Sequence, residues 1–216
     1  MSFILITDFV GEFNISQNKY ATTDYNAIIT ATEEAVLKDL LGEDLYLKLI
    51  ADLNGSYVPQ TAKYLELVNG KTYSVINGDG VTVNVNYQGI KKMLKYFTYV
   101  ELLKHQETEN TEVGQVEPLQ NNSQRVGKHN LSFQICNSYN KAVALYGYDI
   151  YNYGYRNAFI SNYNSKPKNY YKYDYYAELV KGSCFNYLYY CYENYATYFP
   201  TWQFTPRYEM LLNGYL

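Results

Sequence analysis

The chain is poor in the residues that most often carry chemistry: one tryptophan, two histidines and three cysteines in 216 residues. Cys136, Cys184 and Cys191 are odd in number and nowhere at C-x-x-C spacing. That excludes a fully paired disulfide framework and, with only His105 and His129 beside them, a zinc-ligand pattern. The three read as buried free thiols, suited to a reducing cytosol. No apolar run approaches the ~20 residues that a membrane-spanning helix needs. The opening stretch MSFILITDFVGEF lacks a basic region and has a short apolar run, so no secretory signal is expected. P-loop, G-x-G-x-x-G, G-x-S-x-G and H-E-x-x-H patterns are missing. His105 falls at a predicted helix end beside Lys104 and Glu107, and His129 lies between Lys128 and Asn130; neither has a nearby nucleophile. The carboxylate pair Glu33-Glu34 reads as a solvated helix face, and Glu43-Asp44 as a helix start favoured by the peptide dipoles. The expectation is a protein that is not an enzyme and holds no cofactor and no metal.

What the chain does have is tyrosine, 29 in all. Its hydrophobic content of 47% argues against wholesale disorder, although tyrosine inflates that figure because its hydroxyl stays wet or hydrogen-bonded. A chain of this length can bury about 70% of its unfolded surface, so its core needs no covalent or metal staple. Net charge is −3, split as −7 over residues 1–120 and +4 over residues 121–216. Unlike halves suit head-to-tail contacts between identical subunits; drift along a solvated surface is the alternative.

Residues 24–54 predict two helices meeting at Gly42. Ile28, Ala31, Ala35 and Leu40, with Val36 and Leu37, mark one face of the first. Leu45, Leu49, Ile50 and Leu53 mark the second. Thr23 or Asp24 can cap the start, and Gly42 can take the left-handed conformation that ends a helix. Before this, Ser2–Asp8 reads as a short strand or extended arm. Gly55-Ser56 breaks the pair, and a short helix from Pro59 closes at Asn69-Gly70. Thr72–Ile76 and Val81–Tyr87 flank Asn77-Gly78-Asp79-Gly80, a hairpin in which Val81, Val83, Val85 and Tyr87 alternate with polar residues. Gln88–Glu107 is a helix with the stripe Ile90, Met93, Leu94, Phe97, Val100 and Leu103. Glu107–Gln124 reads as a polar loop. Asn130–Tyr163 reads as a long helix interrupted at Gly147 or Gly154, with Phe133, Ile135, Tyr139, Ala142, Val143, Tyr146 and Ile150 on its apolar side. The fold expected is mainly α: a helical bundle with one β-hairpin and an extended aromatic C-terminal tail. Residues 1–163 would form the helical domain and 164–216 a Tyr-rich extension.

The Leu41-Gly42-Glu43-Asp44-Leu45-Tyr46 joint between two helices resembles the N-terminal part of head–tail connector (adaptor) proteins of tailed bacteriophages. Tyr87–Val116 is similar to a second block of that family as found in phages of gut bacteria: a Gly-Ile start at Gly89, a long aromatic helix, then a Thr-x-x-Gly turn at Thr111–Gly114. The basic-polar stretch NNSQRVGKHN and another long helix follow in the family's order, so the resemblance spans roughly residues 20–160. It implies a structural virion protein in the neck between capsid and tail, made in the host bacterial cytoplasm. Such proteins form a closed homo-oligomeric ring, commonly of twelve copies. The ring docks beneath the portal protein and presents a surface to the next tail or stopper ring. Packaged DNA passes through its lumen without sequence-specific contact, and no membrane is involved.

Twenty of the 29 tyrosines lie in residues 139–216. Genome base composition explains such a bias as readily as function does. Tyrosine nonetheless suits interfaces, since it buries a large area with few rotors. A helix is expected within residues 178–198, followed by an aromatic tail from Phe199 to Pro206 that holds the only tryptophan. The residues expected at protein interfaces are Thr111, Gly114, Gln115, Arg125 and Lys128 in the loop and after it. Tyr198, Phe199, Trp202, Phe204, Arg207 and Tyr208 are expected to do the same in the tail. A nucleic-acid-binding phage protein is the rival reading. In it Arg125, Lys128, Lys166, Lys168, Lys172 and Lys181 would contact phosphates while tyrosines stack on bases. The overall acidity of the chain, with a sequence pI near 5.5, weighs against it.

Overall fold

The structure is a computed structural model, and it describes residues 2–13, 15, 22–76, 80–107, 109–111, 114–116, 128–147, 182–195 and 197–202. The fold is mainly helical with a two-stranded antiparallel hairpin. Its elements are α1 (Thr22–Ala51), α2 (Ala62–Asn69), β1 (Lys71–Ile76), β2 (Thr82–Tyr87) and α3 (Ile90–Glu107). The short strands β3 (Glu109–Thr111) and β4 (Gly114–Val116) follow, then α4 (Lys128–Tyr146) and α5 (Cys184–Asn194). Two compact units interleave along the chain: Met1–Val36 with Lys91–Ala142, and Leu37–Ile90 with Val143–Leu216. The expected boundary at residue 163 lies outside the described residues, as do the expected break at 165–168 and the chain beyond Trp202.

In the first unit the opening segment is not a strand. It runs irregularly over residues 2–5 and then makes a 3-10 turn at Ile6–Asp8, with Leu5 N donating to Asp8 Oδ2 at 3.0 Å. Phe3, Ile4, Phe9 and Phe13 are buried. Phe13 sets its edge against Tyr96 at 4.7 Å and Tyr99 at 5.6 Å, so the segment is part of the core. The buried face of α1 here is Tyr25, Ile29, Glu33 and Val36, whereas Ala31 and Ala35 are exposed and Ile28 is half-buried. Val36, Leu37 and Leu40 of the expected face are buried, and the first two turns differ because the buried stripe there runs through the charged Glu33. Glu33 is therefore not on a solvated face; it is 3% exposed. In α3 the predicted stripe is buried apart from Phe97, which is half-buried, and Tyr96, Thr98, Tyr99 and Leu102 are buried as well. Burial around most of α3 exceeds what one amphipathic stripe requires. In α4, Ala142 is buried but Phe133 is 64% exposed, and Cys136 is exposed rather than buried. The segment expected as a loop contains a second ladder, with Glu109, Asn110 and Thr111 opposite Val116, Gln115 and Gly114. Polar side chains hid it, since backbone groups can form a ladder whatever side chains they carry.

In the second unit, α1 breaks at Gly42, where φ is 74° and ψ 159°. The positive φ was expected, but ψ is extended, a region essentially only glycine adopts. Leu45 and Leu49 beyond it are buried. Helix α2 ends at Gly70, φ 97°, as expected. The N-cap of α2 is supported from a distance, because Asp52 accepts from the Gln60 and Thr61 amides, each at 2.9 Å, and from the Thr61 hydroxyl. Helix α5 starts where Ser183 Oγ accepts from Asn186 N at 3.2 Å.

Candidate assembly surface

Among the described residues of the second unit, the β1–β2 hairpin offers the most distinctive surface. Its register pairs Lys71 with Tyr87 and Ile76 with Thr82. Two glycines close its base. A Cβ on Gly70 would meet Tyr87 O at 2.4 Å, and one on Gly89 would meet Val68 O at 2.4 Å. Both have positive φ, so these positions require glycine twice over, for conformation and for room.

The inner face of the hairpin packs on α5. Tyr87 and Tyr187 stack at 4.4 Å, and Tyr73 lies against Tyr187 at 5.6 Å and Tyr190 at 4.4 Å. Tyr87 Oη donates to Leu67 O at 2.6 Å, and Tyr187 Oη donates to Glu66 Oε2 at 3.1 Å. Glu66 Oε1 in turn pairs with Lys71 Nζ at 2.8 Å. Cys184 and Cys191 sit in this tyrosine layer, and burial pushes their thiols up to about 12 and about 11. They stay protonated near neutrality, which suits packing rather than nucleophilic or ligand chemistry.

The outer face carries Thr72, Ser74, Ile76, Thr82, Asn84 and Asn86, all exposed and none charged. Ser74 Oγ and Asn84 Oδ1 bridge across it at 2.8 Å. Ile76 is 66% exposed and Val81 56% exposed, so two large apolar side chains stand in water on either side of the turn. Soluble proteins usually guard such ribbons with lysine, proline or bulges. Here Lys71, at the base, is the only charged residue of either strand. Along the strands this face can receive a protein surface without desolvating a charge. The strand alternation placed Val81 with the inner residues. The neglected signal was an apolar residue on each side of the Asn77–Gly80 turn.

The expected interface residues separate into three groups. Thr111, Gly114 and Gln115 belong to the β3–β4 ladder, and Lys128 opens α4. Tyr198 is half-buried, stacks on Tyr195 at 4.8 Å and accepts Lys63 Nζ at its carbonyl at 2.9 Å. Phe199 and Trp202 are not docking residues of a free tail, since they are 2% and 4% exposed. Phe199 packs on Tyr64 at 5.9 Å, and Trp202 sets its ring on Phe185 at 5.7 Å and donates Nε1–H to Leu40 O at 3.1 Å. The reason lies at Gly42: breaking α1 deprives the carbonyls just before it of intrahelical donors, and the indole supplies one. Arg125, Phe204, Arg207 and Tyr208 lie outside the described residues, as do the rival reading's Lys166, Lys168, Lys172 and Lys181.

Among the described residues, no group of three His, Cys, Asp or Glu side chains is placed to hold a metal ion, and no helix is long and apolar enough to cross a membrane. No curated protein and no solved structure matches the chain. Residues 37–172, which take in the Gly42 joint, the hairpin and α3, match one family model, and the chain belongs to that family, the family of unknown function DUF6712.

Proposed function

We propose that this protein is a head–tail connector subunit of a tailed bacteriophage. It would form a closed ring that docks beneath the portal, joins capsid vertex to tail and lets DNA pass through its lumen. Its work is assembly rather than catalysis, and the ring closes through heterologous side-by-side contacts. The observation that carries this reading is the β1–β2 hairpin, whose strands carry no charge on the outer face and leave Ile76 and Val81 exposed beside the turn. A two-stranded ribbon is marginal alone and gains from a neighbour. Support also comes from the two blocks of the resemblance, built here as a helix pair jointed at Gly42 and an aromatic helix followed by the Thr111–Gly114 ladder.

The test is sedimentation of the purified protein, alone and mixed with the portal protein of the same genome. A defined multi-subunit ring that co-sediments with the portal is the expected result. A monomer indifferent to the portal sinks the reading. Binding to DNA that weakens steeply with salt would favour the nucleic-acid alternative instead.

A further inference from the structure

Three successive backbone amides of the opening segment are held by carboxylates. Phe3 N donates to Glu33 Oε2 at 3.0 Å, Ile4 N to Glu33 Oε1 at 2.8 Å, and Leu5 N to Asp8 Oδ2 at 3.0 Å. The two carboxylates differ in surroundings. Asp8 loses solvent on burial, but the Leu5 amide, Lys91 and Lys95 outweigh that and hold its carboxyl below the usual range. Its ion pairs with Lys91 and Lys95 are 3.5 and 3.8 Å long. Glu33 has amide donors but no lysine beside it among the described residues. No Lys, Arg or His side chain among the described residues pairs with it, and its one charged neighbour of opposite sign is the amino terminus of the segment. On its own helix the adjacent charge is Glu34, of like sign. Desolvation dominates, and the Phe3, Ser2 and Ile4 hydrogen bonds only partly offset it, so the carboxyl is pushed up to about 7.

We propose that the segment Ser2–Leu5 is a strap latched to α1 by Glu33, closed while that carboxyl is protonated and released as it ionises. The protonated group keeps its carbonyl oxygen for an amide and can give its own proton to the Ser2 hydroxyl beside it. The ionised group accepts from both amides, yet it is buried with no side-chain cation paired to it among the described residues and only the weak pull of the amino terminus, so it gains by reaching water. The sign follows from linkage. A carboxyl raised from 4.5 to about 7 contributes stability to the closed state that is fully present below 4.5 and lost as pH rises through about 7. Between about pH 5.5 and 8.5 the opening constant should therefore rise roughly 30-fold. Release would expose Phe3 and Ile4, which are buried in the closed state.

Amide hydrogen exchange on the full chain, corrected for the intrinsic pH dependence of exchange, tests this. In the unaltered protein the protection of the Phe3 and Ile4 amides should fall by that factor across the range, while α3 amides keep theirs. In Glu33→Gln the strap should keep equal protection at both pH values. Equal strap protection in the unaltered protein, or the same fall in Glu33→Gln, overturns the proposal. Should the variant not fold, carbon NMR of glutamate carboxyls in the unaltered protein decides. One carboxyl titrating near pH 7 supports the latch, and all titrating in the ordinary range removes it.

Discussion

Trp202 offers the sharpest test of how the C-terminal region is built. Its ring is buried against Phe185, and its indole N–H satisfies the Leu40 carbonyl next to the break in α1. Removing a buried tryptophan ring costs about 3–5 kcal/mol, which includes the cavity left behind. Leaving a buried carbonyl without its donor costs about 1–3 kcal/mol. Trp202→Phe keeps most of the ring and loses the donor, so it should fall in the lower range, and Trp202→Ala in the upper. For a chain of this size each kcal/mol shifts the melting temperature by about 2–4 °C. Trp202→Ala should therefore melt roughly 6–20 °C below the parent. Urea unfolding followed by circular dichroism is the assay, because the substitution deletes the only tryptophan and with it the tryptophan fluorescence signal. A loss under about 1 kcal/mol for Trp202→Ala would refute the packing described here and restore the free tail. Any truncation meant to test the remaining tail should start after Trp202, since an earlier cut removes Phe199 and Trp202 from the core.

Gly70→Ala and Gly89→Ala should each destabilise the hairpin more than Gly42→Ala, because an added Cβ strikes backbone at the first two and open space at the third. The expected cost at Gly42, from conformation alone, is about 1–3 kcal/mol, read by urea unfolding; equal losses at all three would contradict the close approach. In the folded protein a thiol reagent should modify Cys136 quickly and reach Cys184 and Cys191 only on unfolding, since the first is exposed and the others are buried. Fast labelling of two or three thiols in the native state would argue against the tyrosine layer. Ile76→Asp with Val81→Lys should leave circular dichroism and melting within about 0.5 kcal/mol of the parent, as exposed sites do. The same pair should weaken self-association in sedimentation by at least tenfold, and unchanged association would acquit these two positions.

Local chemistry alone was enough for most of the elements. Gly42, the Asn69-Gly70 stop, the β-branched arms around Asn77–Gly80 and the stripe of α3 each act over a few residues, through backbone freedom or side-chain period, and each is present in the fold. The interleaving of the two units and the burial of Glu33, Phe199 and Trp202 depend on partners far away in the chain. Glu33 is buried because amides some 30 residues earlier solvate its carboxyl in place of water. Trp202 is buried because a carbonyl 162 residues earlier lost its helical donor at Gly42. The same physics governs the exposed pair beside the hairpin turn. Ile76 and Val81 carry the residue types of a core, and only the tertiary packing decides that α5 covers the inner tyrosines and leaves these two in water.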